Sequence, residues 1–283
     1  MSEITGTIPF VYGGETYHTW YKVAGDLQSG VRPLIALHGG PGISHRYMLP
    51  HASLSKSHNI PVIFYDQIGI GQSSHPKDKS KEFWSVDLFM DELDNLLDHF
   101  KIRDNFDLLG HSWGGMLAAH YAGYRRPSGM KHLIIGNASA SMEEMLRRHE
   151  REGTTDSKEY QEGMQVFYQK HVCAMNPWPE LLLESFAAMS EDPTVYSTMI
   201  GPSEFNIVGT LRTWSCIDQL HNIAASTLLI NAEEDEAQDI NFIPIFQSVS
   251  RVKWVQLTHC THIPFFEAPG RYFEILSDFL LNV

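Results

Sequence analysis

One short segment constrains this chain more than any other. The apolar run Phe106–Leu109 enters Gly110-His111-Ser112-Trp113-Gly114-Gly115 and continues as the helix-like stretch Trp113–Tyr124. A buried-type strand that meets a helix through G-x-S-x-G needs a sharp, strained turn, and the flanking glycines remove the Cβ atoms that such a turn cannot accommodate. The serine hydroxyl is then pushed out above the end of a sheet.

The rest of the chain supplies a sheet for that turn. Short β-rich runs at Thr7–Val11, Tyr17–Val23, Leu34–Leu37 and Val62–Tyr65 are separated by glycine-rich turn signals. Val86, Phe89, Met90, Leu93, Leu96, Leu97 and Phe100 recur at helical spacing, while Asp87, Asp91, Glu92 and Asp94 fall mostly on the opposite, polar face. Lys131–Gly136, Thr227–Ile230 and Val252–Leu257 read as further strands, and Arg271–Leu281 as a closing helix. Strand and helix alternate, as a mostly parallel sheet requires. From about Ser139 to Asn222 the pattern changes to charged helical segments rich in Met, Glu and aromatics. The expected organisation is an α/β-hydrolase core made of residues 1–138 and 223–283, interrupted by a helical cap at 139–222.

A serine hydroxyl is a weak nucleophile, so it needs a base within reach and a carboxylate to fix that base's tautomer. In this fold the order along the chain is Ser, acid, His. That leaves His259 and His262 for the base, and His262, in T-H-I-P beyond the last strand, is preferred. After Thr227–Ile230 the residues Glu233, Glu234, Asp235, Glu236 and Asp239 crowd together, and spacing does not choose among them. His38-Gly39-Gly40-Pro41-Gly42 follows Leu34–Leu37 and suits an oxyanion hole, with the Gly40 and Trp113 amides as donors. The His259-x-x-His262 pair has no further ligands at metal-binding spacing, so no metal is expected.

Composition narrows the partners. With 34 acidic against 21 basic side chains, the formal charge of -13 repels phosphate backbones and anionic membrane surfaces. Nucleic acid and membrane are therefore unexpected partners. Three scattered cysteines, Cys173, Cys216 and Cys260, argue against a disulfide framework and for a reducing, cytoplasmic location.

The motifs HGGPG, YDQIGIGQSS, GHSWGG and THIPFFEAP together resemble the proline iminopeptidase family of α/β hydrolases. The similarity runs into the expected cap, where EYQEGMQVFYQKH, NPWPELL and VYSTMIGPSEFNIVGT resemble the tricorn-interacting aminopeptidase of that family. The resemblance implies Ser112 as nucleophile, Asp235 as acid, His262 as base, and Gly40 with Trp113 as oxyanion donors. It implies that Glu204 and Glu236 hold the substrate's free α-amine, and that Tyr196, Phe205 and Trp214 line the first substrate pocket. It further implies hydrolysis, through an acyl-enzyme, of the amide bond after an N-terminal residue in a small peptide or amino-acid amide, with no cofactor. Two departures from the family pattern leave the size and preference of that pocket open: Ile68 follows Gln67 where many members carry arginine, and Asp239 replaces a common proline. An amino-acid amidase or aminoacyl ester hydrolase would use the same residues. A carboxylesterase or lipase, or a non-catalytic ligand-binding relative, would dispense with the amine clamp.

Overall fold

The computed structural model describes residues 3–141, 167–203 and 206–282. Eight strands form one sheet: β1 (Glu3–Tyr12), β2 (Glu15–Ala24), β3 (Leu34–Leu37), β4 (Val62–Tyr65), β5 (Phe106–His111), β6 (Met130–Gly136), β7 (Ser226–Ala232) and β8 (Val252–Leu257). Their spatial order is β1-β2-β4-β3-β5-β6-β7-β8. The first two strands form an antiparallel hairpin, and β2 pairs antiparallel with β4. Every other pairing is parallel.

The central strands are apolar on both sides, as expected of a parallel sheet covered on both faces. Side-chain alternation divides them between two cores. Leu108, Leu133 and Ile135 join one cluster with Leu93 and Leu117, whereas Leu109 and Ile134 join the other with Leu54 and Leu276. The first core is covered by helices α2 (Val86–Phe100) and α3 (Trp113–Arg125), the second by α1 (Ser53–His58) and α8 (Pro269–Leu281). Ser85 caps α2 through its hydroxyl, which accepts from the Leu88 N–H.

One expectation for α2 fails. Glu92, placed by periodicity on the polar face, is fully buried. Its carboxyl accepts from the Ile68 N–H at 3.0 Å and lies 2.5 Å from the Thr19 hydroxyl oxygen. The loop after β4 and strand β2 cover a side of the helix that would otherwise face water, which helical periodicity alone cannot foresee.

Within the expected cap interval lie α4 (Glu180–Glu191) and α5 (Thr194–Met199). Its ends approach each other: Ser141 bridges Ser215, and the Cys216 N–H donates to the Ala140 carbonyl at 3.1 Å. After it come β7, α6 (Ile243–Ser248), β8 and the short α7 (Pro264–Glu267). No described helix is long and apolar enough to cross a membrane.

Candidate active site

Because β3 and β5–β8 run in parallel, their C-terminal ends open on the same edge of the sheet, where ligands of open α/β sheets bind. The loops there carry Gly40 after β3, Ser112 after β5, Asn137 after β6, Asp235 after β7 and His262 after β8.

Ser112 has φ 55° and ψ -125°, a conformation that non-glycine residues rarely adopt. Packing enforces it. A Cβ on Gly110 would lie 2.0 Å from the Gly114 carbonyl oxygen, and one on Gly114 2.3 Å from that of Leu37. The Ser112 N–H is held by the Gly136 carbonyl at 2.9 Å. Trp113 opens α3, so its N–H is among the donors that a helix cannot satisfy internally. Among the described residues the Gly40 N–H also makes no hydrogen bond. Both amides therefore remain available.

His262 Nδ1 lies 2.7 Å from Asp235 Oδ1. Asp235 is only 3% exposed, and a carboxylate there only accepts, so Nδ1 is the donor and, in the neutral ring, Nε2 is the nitrogen with the lone pair. The Ala237 N–H donates to the same Oδ1 at 3.0 Å, and Asn137 Nδ2 donates to Oδ2 at 2.7 Å. Glu236 Oε1 stands 3.6 Å from His262 Nε2.

The backbone around His262 is tied on several sides. Glu267 accepts from the Thr261 N–H at 2.6 Å, the Thr261 hydroxyl at 2.8 Å and the Ala174 N–H at 2.8 Å. The His262 N–H donates to the His171 carbonyl at 3.2 Å, and His171 Nδ1 donates to the Glu234 carbonyl at 2.8 Å. On the other side runs a directional chain. The Gly39 N–H donates to Tyr47 Oη at 2.7 Å, the Tyr47 hydroxyl to His111 Nδ1 at 2.9 Å, and His111 Nε2–H to the His262 carbonyl at 2.7 Å. Its two fixed ends, an N–H and a carbonyl, leave His111 only this neutral tautomer. Burial, with the nearby His262 ring adding to it, also holds His111 well below the usual histidine range. Similarly, burial pushes His38 down to about 4. Neutral His38 bonds the Gly39 carbonyl through Nδ1 and accepts from the Gln67 N–H through Nε2, which pins the glycine loop to the loop after β4.

Ser112, Trp113, Gly40, Asn137, Glu236 and His262 line one cleft, which holds about 740 Å³ of empty space, its open mouth included. Met116, Ile43, Val172, Phe186, Ile200 and Ala237 give it mostly apolar walls.

The structure thus brings Ser112, Asp235, His262, Gly40, Trp113 and Glu236 together. Tyr196 packs on Gly42, where an added Cβ would lie 3.1 Å from the tyrosine Cβ. Among the described residues that line this cleft Trp214 is not found; it is 9% exposed and packs within the first core, its ring 5.8 Å from that of His120. Glu204 and Phe205 lie outside the described residues. His259, the rejected base, sits at φ 56° with its N–H directed to Glu233. Asp239 accepts from Asn231 at 2.8 Å and from Gln256 at 2.6 Å, and so fastens its loop to β7 and β8. Asn137, His111 and Tyr47 carry no periodic or spacing signal and were not foreseen. Only their place in the fold marks them: His111 and Asn137 at strand ends beside the elbow, and Tyr47 in the short helical turn His45–Ala52 after the glycine loop.

This sheet order, with a strained serine after β5 and a histidine–carboxylate pair after β7 and β8, defines an α/β hydrolase. A family model described as alpha/beta hydrolase fold matches residues 32–269. The chain is 31% identical to the proline iminopeptidase of Saccharolobus solfataricus, over 96% of this chain and 91% of that one. With the proline iminopeptidase of Heyndrickxia coagulans it shares 32% identity, over 91% and 93%. Among solved structures, VinJ superposes with a TM-score of 0.90 at 41% identity, covering 98% of both chains. The proline iminopeptidase of Mycobacterium smegmatis superposes at 0.88 with 36% identity, covering 97% of both. The chain belongs to the proline iminopeptidase family of α/β hydrolases and is an enzyme.

Proposed function

We propose that this enzyme is a serine aminopeptidase that releases the N-terminal residue of small peptides or amino-acid amides bearing a free α-amine. The observation that carries the reading is the 2.7 Å bond from His262 Nδ1 to Asp235 in the cleft that also holds Ser112 and the Glu236 carboxylate.

Ser112 Oγ attacks the first carbonyl while its proton passes to His262 Nε2. The Gly40 and Trp113 N–H groups stabilise the oxyanion, each donor of this kind contributing about two to three orders of magnitude in rate. Collapse breaks the C–N bond, and His262 returns the proton to the departing amine. Water, deprotonated by His262, then hydrolyses the acyl-enzyme, which releases the amino acid and restores Ser112. A cationic amine held at Glu236, beside the base nitrogen, brings only the first carbonyl over Ser112. That is positioning, and it makes the enzyme an exopeptidase. Glu204 completes the clamp, and segment 139–222 is a cap over the cleft. Tyr196 and Phe205 belong to the substrate pocket; its mostly apolar walls suit an apolar first residue. The three free cysteines support a cytoplasmic location.

The test compares kcat/KM for proline, alanine, leucine and phenylalanine arylamides, free and N-acetylated, on wild type, Glu236→Gln and Glu204→Gln. Wild type is expected to prefer the free amines strongly, and both variants to lose that preference. Equal rates on acetylated substrates would replace this reading with an esterase. Ser112→Ala is expected to lose at least about a thousandfold in kcat. Comparing amide, ester and peptide leaving groups on one amino acid separates an amidase or ester hydrolase from a peptidase.

A further inference from the structure

Asn137 combines features that fold stability alone does not favour. It is a non-glycine residue with a left-handed backbone, at φ 50°, and it is fully buried. Its Nδ2 donates to Asp235 Oδ2 at 2.7 Å, while its side-chain oxygen is buried with no hydrogen-bond partner. Turning the amide over would set two oxygens against each other, so the assignment of its ends is fixed by the carboxylate. A buried polar atom left without a partner calls for an explanation, and local rules are broken most often where function demands it. Glycine would accept the same backbone and carry no orphan oxygen. What only the amide supplies is the N–H aimed at Asp235.

The Asp235 carboxylate receives three N–H groups: His262 Nδ1 and the Ala237 amide on Oδ1, and Asn137 on Oδ2. Removing the last would leave Oδ2 without its donor in a site that is 3% exposed. The carboxylate would be free to rotate about its bond, and its charge would be less dispersed. A freer, more basic carboxylate holds the imidazole less firmly and favours its protonated form, which cannot accept the serine proton.

We propose that Asn137 is a positioning residue for the reaction: it locks the Asp235 carboxylate from the side opposite His262 and thereby sets the orientation and basicity of the base. This rests on the reading of Asp235 as the acid of the triad.

Among the described residues, other titratable groups near His262 include Glu236 at 3.6 Å from Nε2 and the His111 ring at 4.8 Å between centroids. Both remain in each variant below, so a difference between variants reports on Asn137.

The experiment measures kcat, KM and the pH profile from pH 5 to 10 on a free-amine leucine arylamide, together with Tm, for Asn137→Gly and Asn137→Asp. For Asn137→Gly we expect a folded protein with Tm within about 5 °C of wild type, the relieved backbone and the removed orphan oxygen partly offsetting the lost bond to Asp235, with kcat lower by about tenfold, KM within about twofold, and an acidic limb displaced upward by about half a pH unit. Asn137→Asp keeps the volume of the side chain but sets a second carboxyl against Asp235. It is expected to lose more in kcat and to move the limb further in the same direction. Wild-type kcat and pH profile in either variant would overturn the proposal, whether or not Tm falls. Failure of both variants to fold would overturn it too, because it would show Asn137 to be a stability residue. Asp235→Asn separates the two levels. If it retains kcat, the triad reading itself is wrong; if it loses kcat while the Asn137 variants keep theirs, only the role of Asn137 is wrong.

Discussion

Replacing Glu92 with glutamine should make this enzyme more stable, and increasingly so as the pH rises. Burial raises the Glu92 carboxyl from 4.5 to about 8, with the charge of Asp66 adding to the effect and the bonds from Thr19 and Ile68 opposing it. Below pH 4.5 the group is protonated in both the folded and the unfolded chain, so it contributes no pH dependence. Between 4.5 and about 8 the unfolded chain releases this proton while the folded one keeps it, and stability falls as pH rises. Above pH 8 both are ionised and the loss is complete. At about 1.4 kcal/mol per pH unit the full loss is roughly 5 kcal/mol, and relaxation around the ionised carboxyl leaves at least about 2 kcal/mol to be measured. Glutamine copies the protonated form: its Oε1 accepts from the Ile68 N–H and its Nε2–H donates to the Thr19 hydroxyl, with no proton to lose. Urea denaturation of both proteins at half-unit steps from pH 4.5 to 9 isolates the effect, because every other titrating group is shared. The two should agree near pH 4.5, and by pH 9 the variant should be ahead by at least about 2 kcal/mol, about 5 °C in Tm for a chain of this size. A difference that stays flat with pH, or a variant less stable at pH 9, would refute the reasoning.

Two further expectations come from other buried groups. Tyr47→Phe leaves the Gly39 N–H without its acceptor and His111 Nδ1 without its donor, between the glycine loop and the base. It should cost about 1–3 kcal/mol in stability and about tenfold in kcat, read from urea melts and steady-state rates; unchanged kcat would show that the chain is structural only. Burial pushes the Cys216 thiol up to about 12 and those of Cys173 and Cys260 to about 11, so all three stay protonated and shielded. A thiol-exchange reagent should label them slowly in the native enzyme and completely after denaturation, and fast native labelling would contradict their burial.

The strands Leu34–Leu37 and Val62–Tyr65 were legible from sequence to the residue, because short apolar runs bounded by turn signals suit a parallel sheet that buries them on both sides, and the partly exposed edge strand Val252–Leu257 was legible from its β-branched and aromatic residues. The elbow was legible for a related reason. Its glycines report close approaches of backbone, and the clashes at Gly110 and Gly114 show how little room there is. The order of serine, carboxylate and histidine followed from that fold. Choosing Asp235 from five neighbouring carboxylates needed the family resemblance, since charge and spacing in a loop do not encode direction. Only the tertiary structure decided what depends on neighbours distant in sequence. Glu92 lies on a face of α2 that periodicity assigns to solvent but that strand β2 and the loop after β4 cover, and Trp214 packs into the core beside His120. Asn137 meets Asp235, 98 residues further along the chain, and His111 meets the His262 carbonyl across 151 residues. Local pattern fixes which way a backbone runs and which face seeks the core. The partner of a buried polar group is set by where parallel strands end together, and no window of sequence contains both members of such a pair.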